Sequence, residues 1–172
     1  MDFNELYQAH HRRVYNFCLN YLQNAQDAED VTQEVFVRVY RKMDSFNHDA
    51  QWSTWIYRIT VNCCIDFVKA KKRSKRFGFM VSLFHDETQE PRRELADFDH
   101  PGVALEHKEA VANLLAQIDS LPENQKTALL LSKLEQRSQK EVAAIMDISE
   151  KAVESLLHRA KENLQKKRKP RT

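Results

Sequence analysis

Apolar residues recur at helical spacing through most of the chain, without the alternation that marks strands. Glycine and proline, which interrupt helices, are absent from the first 77 residues. They then cluster as Gly78, Pro91, Pro101 and Gly102, and afterwards only Pro122 and Pro170 remain. The pattern predicts an all-α protein of two small helical domains and no sheet.

Composition places the domain boundaries. We predict a first domain over residues 1–76, a flexible linker over 77–102 and a second domain over 103–172. The linker is polar, acidic and punctuated by glycine and proline, which is typical of a connecting segment rather than a packed element.

The first domain is predicted to hold three helices. The first covers Leu6 to Leu22, and the second begins near Asp27, with acidic residues at the positive end of its dipole. After a polar break at 44–51, a long third helix runs from about Ser53 to Lys75. Its core-facing stripe is predicted to be Ile56, Ile59, Cys63 and Phe67.

The second domain is predicted to end in a helix-turn-helix. An opening helix at about 103–118 is followed by one with Pro122 in its first turn, where a missing N–H does no harm. Ser138 and Glu141 form a capping box that begins a helix reaching about Met146. Ser149 is the predicted N-cap of the last helix, which follows after a short turn.

The net charge of +2 averages over blocks of opposite sign. The run KAKKRSKR at 69–76 holds six cationic residues, the run KKRKPR at 166–171 is also basic, and the linker between them is acidic. Such blocks are usually solvated faces, but two basic blocks also suit two nucleic-acid contacts.

Several classes of protein are excluded by composition. The three cysteines lack metal-binding spacing and the seven histidines are scattered, so we predict no metal and no cofactor. Apolar runs are too short for a membrane span, and the first residues do not resemble a signal peptide. We therefore expect a cytoplasmic protein.

The last helix carries a polar face that fits a DNA major groove. Its first half would present Lys151, Glu154, Ser155 and His158 to base edges, while Arg159 and Lys161 would reach phosphates. The alternative is an ordinary amphipathic surface helix.

The long third helix combines aromatic, cationic and amide side chains. Both tryptophans, Trp52 and Trp55, stand at its start beside Tyr57, and one stripe carries Arg58, Asn62, Lys69 and Arg73. Rings that stack on bases, next to cations that hold the backbone, suit separated DNA strands and an extruded base. The alternative is that both tryptophans pack in the core.

Two long runs carry a family resemblance. The residues DAEDVTQEVFVRVYRKMDSF (27–46) and TWIYRITVNCCIDFVKAKKR (54–73) resemble region two of the extracytoplasmic-function (ECF) sigma factors. The run LPENQKTALLLSKLEQRSQKEVAAIMDISEKAVESLLHRAKENL (121–164) resembles their region four. The two regions stand in the family's order, with an acidic linker between them.

The resemblance implies a transcription initiation factor without enzymatic activity. Its partners would be core RNA polymerase, promoter DNA in duplex and single-stranded form, and an anti-sigma factor, often membrane-bound; no small-molecule substrate is implied. The polymerase β′ clamp helices would dock on Asp30, Gln33, Glu34, Val37 and Arg41. The linker would thread toward the RNA exit channel.

The resemblance also assigns the DNA contacts by position. Asn62 would line the pocket for a flipped base of the minus-ten element, closed by Phe46 and the loop to Trp52. Residues 69–76 would track the strand backbone. The second domain would read the minus-thirty-five element and contact the polymerase β flap.

The recognition helix departs from the family's pattern. Many members have Gly-Thr-Val-Lys/Arg-Ser-Arg where this chain has Lys-Ala-Val-Glu-Ser-Leu at 151–156. Glu154 removes a cationic contact and can accept from a cytosine amine instead, and Leu156 cannot contact a phosphate.

Two other classes compete with this interpretation. A helix-turn-helix repressor or response-regulator output module would dimerise on a palindrome, but the chain lacks a heptad-like dimer seam. A nuclease would need a carboxylate cluster or metal spacing, and neither is found in the sequence.

Overall fold

A computed structural model describes the backbone at residues 2–47, 49–82 and 105–168, and side chains there except at 77–82, 105–109 and 167–168. The N-terminal half holds α1 (Phe3–Leu22), α2 (Ala25–Lys42) and α3 (Trp52–Ser82), with a 3₁₀ turn at Met43–Ser45. The C-terminal half holds α4 (Leu105–Asp119), α5 (Glu123–Lys133), α6 (Gln139–Met146) and α7 (Glu150–Arg168). Within these ranges there is no strand, so the all-α prediction is confirmed.

The third helix is longer than predicted. It continues to Ser82, six residues into the predicted linker, and passes through Gly78. Glycine in a helix costs only about 1 kcal/mol relative to alanine, so a single one does not force a helix to end. The rest of the predicted linker and the last four residues lie outside the described part of the chain.

The core of the N-terminal half is formed where α1, α2 and α3 meet. Phe17, Val35 and Ile56 contribute buried side chains from the three helices in turn. Of the stripe predicted to face the core from α3, Ile56 and Cys63 are buried, whereas Ile59 and Phe67 are half-buried. The buried face is completed by residues that the prediction did not include: Tyr57, Thr60, Val61 and Cys64.

Local capping signals fix the helices of the C-terminal half. The Ser138 hydroxyl accepts from the Glu141 N–H at 3.3 Å, and the Glu141 carboxylate accepts from the Ser138 N–H at 2.9 Å. Ser149 caps α7 by accepting from the Ala152 N–H at 3.1 Å. Both predicted N-caps are confirmed. Asp147 ends α6 in the left-handed conformation (φ 57°), which aspartate tolerates better than most residues.

The two halves pack against each other. Helix α3 lies on α6 and α1 lies on α5, so one apolar cluster runs through both halves. The Tyr21 hydroxyl on α1 and the Thr127 hydroxyl on α5 are 3.1 Å apart, and both residues are buried. The DNA-reading helices proposed from the sequence are therefore held in one compact arrangement.

The capping box makes a prediction about pH. Hydrogen bonds from the Ser138 N–H, from Arg137 and from the Ser138 hydroxyl lower the pKa of Glu141. A carboxyl whose pKa is lowered by folding stabilises the fold above its unfolded pKa and loses that effect as pH falls through its folded pKa. Glu141→Gln removes the charge but keeps a side-chain oxygen that can accept from the Ser138 N–H. We therefore expect this substitution to lower the free energy of unfolding at neutral pH.

Urea unfolding over a pH series would measure this effect. The difference in the free energy of unfolding between the wild type and Glu141→Gln should disappear on acidification below the pKa of Glu141. Glu154→Gln, at an exposed position of α7, is the matched control and should show no such convergence. A gap that stays constant down to acidic pH would contradict the prediction.

Candidate nucleic-acid interface

Three aromatic rings form a cluster at the start of α3. The Phe46 ring centroid lies 4.1 Å from that of Trp52 and 5.0 Å from that of Trp55, and the two tryptophan rings are 5.5 Å apart in an edge-to-face arrangement. The 3₁₀ turn after α2 brings Phe46 back onto this helix end. All three side chains are half-buried, so part of each remains open to solvent.

The predicted stripe of α3 is exposed beside this cluster. Arg58, Asn62, Lys69 and Arg73 all lie on the outer side of the helix, and Trp55 precedes Arg58 by one turn. Two of the cations already have partners in the C-terminal half. Arg58 Nη2 donates to the Ala144 carbonyl at 2.6 Å, and Lys69 Nζ lies 3.6 Å from a Glu123 carboxylate oxygen.

The basic end of α3 extends the positive surface beyond the stripe. Residues 69–76 are exposed throughout. Lys71 forms an ion pair with Asp27 and lies 5.6 Å from the centroid of the Phe67 ring. Because solvated cations on one helix attract phosphates without regard to sequence, this end suits the backbone of a strand.

Helices α6 and α7 form the predicted helix-turn-helix. Val153 and Ala160 are buried on the inner face of α7, and Leu156 and Leu157 are half-buried beside them. The six residues predicted to face DNA are all exposed: Lys151, Glu154, Ser155, His158, Arg159 and Lys161. Leu156 packs against the apolar core.

The outer surface of α2 presents the five residues that the family resemblance assigns to polymerase binding. Asp30, Gln33, Glu34, Val37 and Arg41 are all exposed, and Val37 keeps 41% of its area accessible. Glu34 pairs with Arg38 at 2.7 Å, which raises the pKa of Arg38, and Arg38 also reaches Asp66 on α3 at 3.6 Å. The surface is thus mainly polar, and Val37 adds an exposed apolar side chain to it.

Sequence reasoning missed an aromatic groove next to this surface. Tyr7 lies 4.8 Å from Phe36 between ring centroids, and Phe3 lies 5.2 Å from Tyr40. Gln33 lines the groove together with Tyr7 and Phe36. The groove is therefore continuous with the exposed surface of α2 that contains Gln33. Phe3 and Tyr7 lie four residues apart on α1, and Phe36 and Tyr40 lie four residues apart on α2. This spacing places each pair on one face of its helix, and it was the signal available in the sequence.

Within the described residues, no group of histidine, cysteine and acidic side chains could hold a metal ion, and no helix has the length and apolarity needed to cross a membrane.

Family models now identify the chain. The Sigma-70 region 2 model matches residues 6–74, and the Sigma-70 region 4 model matches residues 112–164. The ECF sigma-E factor of Escherichia coli K12 is 32% identical over 168 residues, which cover 98% of this chain and 87% of the relative. The ECF sigma factor SigW of Bacillus subtilis is 30% identical over 164 residues, covering 95% and 87%. The chain therefore belongs to the ECF family of RNA polymerase sigma factors.

Solved structures share the fold. A sigma factor RpoE from Bartonella quintana, in complex with the anti-sigma factor NepR, superposes with a TM-score of 0.70 at 19% identity, covering 96% of this chain and 95% of that one. CnrH, in complex with the cytosolic domain of CnrY, gives a TM-score of 0.65 at 21% identity, covering 95% and 84%.

Family membership confirms the main functional prediction. A sigma factor is a transcription initiation factor that binds core RNA polymerase and promoter DNA and has no enzymatic activity of its own. The repressor and nuclease alternatives are thereby set aside.

Proposed function

We propose a division of labour in which each half of the chain reads one promoter element while polymerase holds both. The observation that carries this proposal is the half-buried pair of tryptophans at the start of α3 next to the exposed amide and cations of the same helix. The Phe46–Trp52–Trp55 cluster would stack on an unpaired base, Asn62 would hydrogen-bond to it, and the cations would hold the backbone. Strand separation would then be stabilised by binding, without hydrolysis of a nucleotide.

In the same proposal α7 enters the major groove of the upstream duplex. Lys151, Glu154, Ser155 and His158 face outward from its N-terminal half, where recognition helices contact bases. Residues 103–172 would also contact the β flap, while the five exposed residues of α2 would dock on the β′ clamp helices. The linker would lie between the two DNA-reading halves, toward the RNA exit channel.

An anti-sigma factor completes the proposal. One solved structure of this fold is the sigma factor RpoE in complex with the anti-sigma factor NepR, and another is CnrH in complex with the cytosolic domain of CnrY. A partner of this kind would cover the polymerase-binding surface of the chain in the bacterial cytoplasm. If that partner spans the inner membrane, it would hold the chain there until it is released.

Run-off transcription tests the proposal. Core polymerase with this protein, on pooled genomic fragments of its source, should yield transcripts that core polymerase alone does not make. These transcripts should share two upstream motifs, one for each half. New transcripts that share only one upstream motif, or none, would overturn the division of labour between the two halves.

Salt dependence tests the phosphate role of Arg159, which is exposed on α7. Each lost phosphate contact lowers the slope of log affinity against log salt by about 0.9. We expect Arg159→Ala to weaken promoter binding by holoenzyme on every promoter to a similar degree and to reduce the slope by about this amount.

Filter binding over a salt series would measure the slope. Lys133→Ala removes an exposed cation from α5 and serves as the matched control with an unchanged slope. Weakening confined to one promoter sequence would instead assign Arg159 to base readout.

A further inference from the structure

Two cysteine thiols that the proposed function does not use touch each other in the core of the N-terminal half. Cys18 on α1 and Cys64 on α3 are both fully buried, and their Sγ atoms are 3.8 Å apart. Both are free thiols. The fold therefore brings together two sulfur atoms from residues that stand 46 positions apart in the sequence.

This contact is close to the geometry of a disulfide. A disulfide has an S–S distance of about 2.05 Å, so the two sulfur atoms would have to approach each other by about 1.8 Å. Side-chain rotation and the small helix shifts that proteins commonly make can supply a movement of this size. In a reducing compartment disulfides are rare, and those that form are usually transient and redox-sensing.

Cys18 has the environment of an attacking thiol. A hydrogen bond from the Cys64 thiol lowers the pKa of Cys18 in spite of its burial, and a hydrogen bond with the Thr32 side chain lowers it further. The contact with Cys18, together with burial, raises the pKa of Cys64. Because the thiolate and not the thiol attacks an oxidant, Cys18 would react first and Cys64 second.

Cys63 offers an internal comparison. It is the neighbour of Cys64 on α3 and is also buried, with 3% of its area exposed. Burial raises the pKa of Cys63 to about 11, so its thiol stays protonated at neutral pH. Cys63 should therefore be much less reactive than Cys18.

The aromatic groove between α1 and α2 gives a small molecule a route toward the thiol pair. The groove has a volume of about 520 Å³, whereas one water molecule takes up roughly 30 Å³ in the liquid, so a peroxide molecule fits easily. Thr32 lines this groove and also hydrogen-bonds to Cys18. One side chain thus separates the groove from the Cys18 sulfur.

We propose that Cys18 and Cys64 form a dithiol site that hydrogen peroxide oxidises to a disulfide linking α1 to α3. The Cys18 thiolate attacks one peroxide oxygen, the O–O bond breaks, and the other oxygen leaves as hydroxide, which takes up the proton released by Cys18 to give water. The Cys64 sulfur then attacks the sulfenic sulfur of Cys18. The S–S bond forms, the S–O bond breaks, and hydroxide leaves with the Cys64 proton as a second water. Two thiols are oxidised and one peroxide is reduced.

The disulfide would act on the proposed base pocket because Asn62 precedes Cys64 by two residues on α3. Drawing Cys64 toward α1 would shift this turn of α3 relative to α2, the helix proposed to dock on polymerase. Oxidation should therefore impair promoter opening. This consequence rests on the proposed function, whereas formation of the disulfide does not.

Peroxide treatment of the full chain, followed by intact-mass analysis and peptide mapping, tests the site. The wild type should lose the mass of two hydrogen atoms and yield a peptide pair joined through Cys18 and Cys64, and dithiothreitol should reverse both changes. Cys63→Ser is the matched control and should react like the wild type, whereas Cys18→Ser should form no disulfide. Retention of all thiols, a bond to Cys63 or a gain of oxygen in place of a disulfide would overturn the site.

Thr32→Val tests the route and the activation of Cys18. Valine keeps a similar shape but removes the hydroxyl that bonds to Cys18. We expect oxidation to slow by about two- to tenfold, the factor that one hydrogen bond contributes. An unchanged rate would mean that Thr32 does not activate Cys18, and the wild-type result would still decide the site itself.

Run-off transcription separates this inference from the proposed function. The chain is oxidised alone, freed of peroxide and then added to core polymerase. We expect at least about fivefold less transcript from the oxidised than from the reduced wild type, with no difference for Cys18→Ser. Equal transcription by a chain that carries the disulfide would overturn the effect on the base pocket. If the reduced chain directed no transcription, the sigma mechanism would fail while the mass measurement still decided the disulfide.

Discussion

Alanine in place of Asn62 is expected to slow promoter opening by roughly 5- to 150-fold, because hydrogen bonds that discriminate a base contribute about 1–3 kcal/mol. The amide is exposed on α3, one turn after Arg58 and on the same side as Trp55. Removing an exposed side chain should leave the fold and the binding of core polymerase intact. The loss should therefore appear in strand separation rather than in assembly.

Permanganate reactivity of unpaired thymines in the promoter would follow this opening over time. Asn16→Ala changes an exposed asparagine of α1 in the same half and is the matched control. If Asn62→Ala opened promoters at the wild-type rate, the base pocket would have to be placed elsewhere on α3.

Truncating Phe17 to alanine is expected to lower the free energy of unfolding by about 3–5 kcal/mol, the usual cost for a buried phenylalanine. Phe17 is 1% exposed, and its ring centroid lies 5.8 Å from that of Tyr21 and 5.7 Å from that of Tyr57. Both tyrosines take part in the contact between the halves. A cavity at Phe17 should therefore weaken the N-terminal core and the support of that contact together.

Guanidinium unfolding would give this difference directly. Tyr40→Ala is the comparison, since that ring is 64% exposed and its truncation should cost about 1 kcal/mol or less. A loss below about 1 kcal/mol for Phe17→Ala would mean that the core relaxes into the cavity, contrary to the packing described above.

Local signals in the sequence were sufficient for most helices and for the exposed faces. The capping residues Ser138 and Ser149 each depend on contacts within three residues, so their spacing alone identified them. The outward face of α7 followed from helical periodicity in the same way. Of the sites assigned by resemblance, Asn62, residues 69–76 and the five α2 residues are exposed, whereas Phe46 and Trp52 are half-buried. Their contacts with DNA and polymerase remain predictions.

Contacts between distant segments could not be predicted by these means. The sequence places Tyr57 beside the two tryptophans, yet its side chain is wholly buried and its hydroxyl donates to the Glu135 carboxylate. Lys126 is an ordinary lysine in a helical pattern, and only the approach of α1 makes it a buried cap. Periodicity assigns a residue to a face but does not say which partner covers that face.

The placement of the tryptophans has a spectroscopic consequence. The chain has two tryptophans, and both belong to the ring cluster at the start of α3. Tryptophan emission of the unlabelled protein, excited at wavelengths that tyrosine does not absorb, therefore originates at one place on the molecule, at the site proposed to receive an unpaired base. A nucleobase arriving there would alter the indole environment, so the arrival of DNA could be timed in a stopped-flow fluorimeter without attaching a dye.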